Sequence, residues 1–155
     1  MHKINSGIIG YRNHSKKIQK LLIKKNEKII VYCYKKKEFL NLLNTNKNQN
    51  IYYTNKLSDL NYCTNIFITS PSNTHYKYIK LLASKSRYIF CEKPAAINKK
   101  EINYLKNIDK VIKERIYFNF NYLQSELFNN IKNQIRNKKY GEIINISINA
   151  THGLF

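Results

Sequence analysis

No apolar run in the chain approaches the ~20 residues that a membrane-crossing helix needs. The opening stretch, Met1 to Gly7, also lacks the apolar core of a secretory signal. Both absences predict a cytoplasmic protein. Cysteine is scarce and odd in number: Cys33, Cys63 and Cys91, with no Cys-x-x-Cys spacing among them. That excludes a disulfide framework and gives no zinc pattern. Cys33 and Cys91 lie in strand-like runs, where a thiol acts as a small buried apolar group, so no chemistry and no metal is assigned to them. Acidic residues are few, nine against 28 Lys and Arg, for a formal charge of +19. Such an excess would suit a nucleic-acid backbone through counterion release. The lysines are scattered, however, through Lys16-Lys17, Lys24-Lys25, Lys35 to Lys37, Lys99-Lys100 and Lys138-Lys139, mostly on polar faces of helix-like segments, and Asn, Ile and Tyr are abundant too. Charge of this kind speaks to solubility and non-specific attraction. No dedicated nucleic-acid partner is expected.

What is present suffices for a soluble α/β domain, since 155 residues with 43% hydrophobic content can enclose a core. Strand-like and helix-like periodicities alternate along the chain. Ile4 to Ile9 predicts a first strand, and Ser15 to Lys25 a helix carrying Ile18, Leu21 and Leu22. Ile29 to Tyr34 predicts a second strand, followed by a helix over Glu38 to Leu43 and a short strand at Ile51 to Tyr53. A brief helix around Leu57 to Leu60 leads to a strong strand at Ile66 to Thr69. Ser72 or Asn73 then caps a helix with Tyr76, Ile79, Leu82 and Ala83 at helical spacing, before a strand at Tyr88 to Cys91. Asn98 and Glu101 form a capping-box-like pair ahead of an apolar stripe of Ile102, Leu105, Ile108 and Ile112. Ile116 to Phe120 predicts a sixth strand, Leu123 to Arg136 an amphipathic helix, and Ile143 to Ala150 an alternating strand. Strands alternating with helices in this way predict a doubly wound parallel sheet, Rossmann-like.

A dinucleotide site needs the first strand to turn tightly into a helix, with glycines letting a pyrophosphate approach backbone N–H groups. Set against Gly-x-Gly-x-x-Gly, the segment Gly10-Tyr11-Arg12-Asn13-His14-Ser15 keeps the first glycine and replaces the second by Arg12 and the third by Ser15. Arg12 either clamps phosphate from the rim of the turn or holds the pyrophosphate away by its bulk, and the residues alone leave both open. Ser15 is small enough for the close helix-to-sheet packing that the third glycine provides. About 20 residues on, the pattern calls for a carboxylate on a ribose 2′-hydroxyl, but Tyr34-Lys35-Lys36-Lys37 stands there. Lys35 and its neighbours would welcome a 2′-phosphate, so the cofactor is NAD or NADP; a solvated lysine run opening a helix is the plain alternative.

Four ordered segments carry a resemblance. The run Tyr88-Ile89-Phe90-Cys91-Glu92-Lys93-Pro94 ends a strand in a charged pair and a proline, and Ile66 to Thr69 runs into Ser70-Pro71-Ser72-Asn73-Thr74-His75. Phe120-Asn121-Tyr122 follows a further apolar strand, and Gly141-Glu142-Ile143-Ile144 leads towards Thr151-His152-Gly153. Together they resemble the Gfo/Idh/MocA oxidoreductases, whose signature includes Glu-Lys-Pro. The resemblance implies an NAD(P)-dependent enzyme moving a hydride between nicotinamide and a hydroxyl or keto group of a sugar, nucleotide-sugar or cyclitol, homo-oligomeric when full length. It implies a dinucleotide-binding domain over residues 1–122, then a linking helix and the first strand of an incomplete substrate domain over 123–155. The alternative is an inactive, truncated nucleotide-binding or regulatory remnant.

By the same resemblance, Gly10, Arg12, Asn13 and Ser15 form the phosphate turn and Lys35 faces the adenosine ribose. Thr69, Pro71, Asn73 and His75 lie along the ribose and nicotinamide side, with Ser70 taking part through its backbone. Glu92 either orients Lys93 or touches the cofactor ribose, and Asn121 contributes beyond the sixth strand. Lys93 is the catalytic candidate, because an ammonium beside a nicotinamide can bind a substrate hydroxyl and stabilise the developing alkoxide. Each has a plain reading as well: Asn73 is a good helix-start residue, His75 a surface or capping residue, and any one lysine a solvated charge.

Overall fold

The structure is a computed structural model that describes residues 6–84, 86–120, 123, 125–147 and 149. The chain divides into two compact units, one ending at Asn119 and one beginning at Phe120.

Six short apolar runs of the first unit form strands: β1 (Ser6–Ile9), β2 (Ile29–Tyr32), β3 (Ile51–Thr54), β4 (Asn65–Ile68), β5 (Tyr88–Cys91) and β6 (Ile116–Phe118). They pair in the order β3-β2-β1-β4-β5-β6, and every pair is parallel. The order reverses between β1 and β4. In such sheets the crevice beyond the carboxyl ends at that point takes the ligand.

Alternation along each strand divides the core in two. Ile8, Ile29 and Val31 face one side, where α1 (Asn13–Lys24) contributes Leu22 and α2 (Lys36–Thr45) contributes Phe39 and Leu42. Ile9, Ile66, Ile68, Ile89 and Cys91 face the other, against Tyr78, Ile79 and Leu82 of α3 (His75–Leu82) and Leu105 of α4 (Lys99–Asn107). Each fully buried Ile contributes about 1.5–3 kcal/mol relative to exposure. On the first side, Phe67, Phe90 and Tyr117 occupy one register row. Their rings stack with centroids 4.9 and 5.4 Å apart.

Several boundaries differ from the sequence expectation. The stripe from Ile102 to Ile112 is interrupted: α4 stops at Asn107, and Asp109 Oδ1 accepts from the Val111 and Ile112 amides to start a one-turn helix, α5 (Lys110–Lys113). Neither Ser72 nor Asn73 caps α3; Ser72–Thr74 form a 3-10 turn, and the Thr74 hydroxyl is spent on the Pro71 carbonyl at 2.7 Å.

In the second unit, Ser125 Oγ accepts from the Phe128 amide and starts α6 (Glu126–Arg136), three residues later than expected. The strand expected over 143–150 is absent from residues 143–147. Alternation supplies a face, but a strand also needs an edge to pair with, and among the described residues none pairs with this segment. No helix of the described residues is long and apolar enough to cross a membrane.

Candidate active site at the carboxyl edge of the sheet

Beyond β1 the chain turns at Gly10, whose φ of +117° is a conformation L side chains rarely adopt. A Cβ there would lie 2.8 Å from Thr69 Oγ1 and 3.1 Å from the Ser70 amide nitrogen, so both the backbone angle and the space exclude one. Thr69 closes the contact from the β4 side by donating its hydroxyl to the Ile9 carbonyl at 3.0 Å. Ser15, buried in the first turn of α1, donates to the Gly10 carbonyl at 2.8 Å and accepts from Gln19 Nε2 at 2.8 Å. It therefore clamps the turn as well as fitting beneath it. Arg12 and Asn13 are exposed at the helix start, and Arg12 supplies no side-chain cap. Gly10, Tyr11, Arg12, Tyr34, Thr69, Ser70 and Pro71 line a cleft of about 170 Å³.

His75 does not face this cleft. It is buried in α3, with Nε2 2.7 Å from the Ser70 carbonyl and Nδ1 2.8 Å from the Pro94 carbonyl. Its ring ties the loop after β4 to the loop after β5. Ser70 is also buried, its hydroxyl 2.7 Å from that of Thr74, and Asn73 lies exposed in the 3-10 turn.

Beyond β5, Glu92 Oε1 meets His14 Nε2 at 2.6 Å and accepts from Asn119 Nδ2 at 2.6 Å. Glu92 therefore does not orient Lys93 through an ion pair. The Lys93 side chain is exposed and, among the described residues, has no hydrogen-bond or ion-pair partner. The Lys93–Pro94 peptide is cis. Asn121 lies outside the described residues.

The family model described as an oxidoreductase family with an NAD-binding Rossmann fold, Gfo/Idh/MocA, matches residues 4–120. The chain belongs to the Gfo/Idh/MocA oxidoreductases. A curated relative, glucose-6-phosphate 3-dehydrogenase of Bacillus subtilis strain 168, is 28% identical over 83 residues, covering 54% of this chain and 24% of its own length. The chain thus spans about a quarter of that relative. Among solved structures, the WlbA dehydrogenase of Bordetella pertussis, in complex with NADH and UDP-GlcNAcA, superposes with a TM-score of 0.69 at 16% identity over 90% of this chain and 43% of its own. The scyllo-inositol dehydrogenase of Lactobacillus casei gives 0.66 at 18% identity over 91% and 44%. At these identities the structures establish the shared fold.

As a Gfo/Idh/MocA member the chain carries the family's NAD-binding domain, and its turn accommodates a nicotinamide dinucleotide. The side-chain-free approach at Gly10 and the uncapped start of a helix 12 residues long are the features that admit a pyrophosphate. At the second glycine's place, Arg12 has φ −85° and ψ −171°, extended backbone that any residue adopts. Directly after β2, Tyr34 packs against Tyr11 with ring centroids 5.3 Å apart and Lys35 stands exposed before α2, whose first turn carries the carboxylate of Glu38. Burial first, and the neighbouring Tyr34 second, push the Tyr11 phenol up to about 12, so it stays protonated in the cleft. Sequence reasoning missed His14 and Asn119. The signal for His14 was its place inside the turn motif, where the pattern marks only glycine positions; Asn119 had none beyond following a strand.

Proposed function

We propose that this chain is the dinucleotide-binding part of a dehydrogenase that moves a hydride between a nicotinamide cofactor and a hydroxyl-bearing carbon of a sugar, nucleotide-sugar or cyclitol. The carrying observation is Lys93: an ammonium without a partner among the described residues at the carboxyl end of β5, on the sheet edge that also bears the Gly10 turn. When bound, the cofactor supplies the hydride acceptor. Lys93 binds the substrate oxygen and stabilises the charge that develops there as the C–H bond breaks. Tyr34 and Lys35, in place of a ribose-binding acid, bring NADP within the reading alongside NAD. The sugar-type substrate draws its support from the glucose-6-phosphate and inositol dehydrogenases above. The separate compact unit beginning at Phe120 supports assigning residues 123–155 to the start of a substrate domain.

The test takes the protein as its cells make it. NADH and NADPH are titrated by fluorescence, and oxidation of hexoses, hexose phosphates, UDP-sugars and inositols is followed with both oxidised cofactors. Binding with turnover on one substrate class is expected, and Lys93→Met is expected to lower kcat about 10²-fold or more while binding cofactor normally. Binding without turnover on any class removes the dehydrogenase reading in favour of a nucleotide-binding module.

A further inference from the structure

We propose that His14 is a positioning residue for the cofactor: from the first turn of α1 it orients Glu92 so that one carboxylate oxygen remains available to a hydroxyl of the ribose on the nicotinamide side. The inference rests on the dinucleotide reading of the crevice.

Three segments meet at one atom. His14 enters from the helix after β1, Asn119 from the chain just after β6, and both reach the same Glu92 oxygen, Oε1, at 2.6 Å. The backbone fixes two of the three: the Glu92 amide donates to the Ile68 carbonyl at 3.0 Å and the Asn119 amide to the Cys91 carbonyl at 2.9 Å. Among the described residues Oε2 receives no hydrogen bond and no ion pair. Glu92 is 22% exposed and His14 46%, so the pair lies at the surface of the crevice and is not sealed in the core.

Strand order decides what this oxygen faces. Counting from the switch point, β1, β2 and β3 serve the adenosine half of a dinucleotide, and β4, β5 and β6 serve the other half. Glu92 and Asn119 belong to the second half, and His14 reaches across from the first. An ionised carboxylate only accepts hydrogen bonds, so it disfavours phosphate and suits a ribose hydroxyl. Two donors on Oε1 hold the side chain in one rotamer before the ligand arrives, and that preorganisation is the contribution assigned to His14. His14 adds no contact of its own to the cofactor.

The discriminating experiment compares ligands with and without the nicotinamide ribose. NADH and NADPH are titrated calorimetrically against ADP and adenosine 2′,5′-bisphosphate, for the wild type, His14→Leu, His14→Gln, Glu92→Ala and the double variant His14→Leu/Glu92→Ala, with thermal unfolding to verify that each variant is folded. His14→Leu is expected to weaken the preferred dinucleotide about 5- to 10-fold, the scale of one hydrogen bond, and to leave the adenosine ligands within about twofold. His14→Gln, which keeps an N–H donor, recovers part of the loss, and in the Glu92→Ala background His14→Leu has no further effect. Equal losses for both ligand classes, no loss, or full additivity with Glu92→Ala overturn the role of His14 while leaving the dinucleotide reading standing. If the wild type binds no dinucleotide, that reading falls and the inference falls with it.

Discussion

Gly10 tolerates no side chain for two independent reasons, a left-handed φ of +117° and a Cβ position 3.1 Å from the Ser70 backbone nitrogen. Backbone cannot swing aside as a flexible side chain can, so Gly10→Ala is expected to destabilise the protein by about 1–3 kcal/mol, read as a lowered urea midpoint, and to weaken dinucleotide binding; an unchanged midpoint counts against the cradle. The neighbouring glycine place shows what a sequence pattern hides. Gly-x-Gly-x-x-Gly weights three positions equally, yet only the first carries a positive φ here, whereas Arg12 sits in extended backbone and Ser15 replaces the third glycine with a hydroxyl clamp on Gly10. His75 was legible as a residue of interest but not as a buried tie between two carbonyls, because the loop after β5 that supplies Pro94 is remote in sequence.

The start of α4 was legible because a capping pair carried the signal. Asn98 Oδ1 accepts from the Glu101 amide at 3.0 Å, and Glu101 returns to the Ile97 amide at 2.8 Å, one residue outside the expected box. Asn98→Ala is expected to cost about 1 kcal/mol, measured by urea unfolding, with no change in dinucleotide affinity; a binding defect would show that α4 is coupled to the site. The division between α4 and α5 was not legible, because an apolar stripe continues through Asp109 while that carboxylate restarts the helix. The reverse holds at residues 143–147, where alternation was plain and no strand forms: local pattern fixes a face, and pairing requires a partner outside the segment.

Over the whole molecule, strand alternation with helices was enough to anticipate the parallel sheet, since its crossovers leave a strong local imprint. Proton binding adds a collective property. Burial pushes the Cys33 and Cys91 thiols up to about 12, Cys63 to about 11, and the Tyr11 and Tyr78 phenols to about 12. The folded state holds these protons more tightly than the unfolded chain, so their contribution to stability is fully present below the unfolded thiol value near 9 and is lost as pH rises through the folded values. Unfolding temperature is therefore expected to fall progressively from about pH 9 upward, with slow thiol alkylation of the native protein at pH 8. A flat profile between pH 8 and 11 would contradict this.

The hydrogen bond from Thr69 to Ile9 joins residues 60 apart in sequence, and the β1–β4 pairing beneath it has the widest sequence separation of the five strand pairs. The Gly10 turn is built on that pair, so it exists only after the chain has closed the longest of its strand-to-strand connections. Loop closure of this kind is slow. In time, then, the Gly10 turn belongs to the finished sheet: a dinucleotide added during refolding should prolong the life of the native state without hastening its arrival.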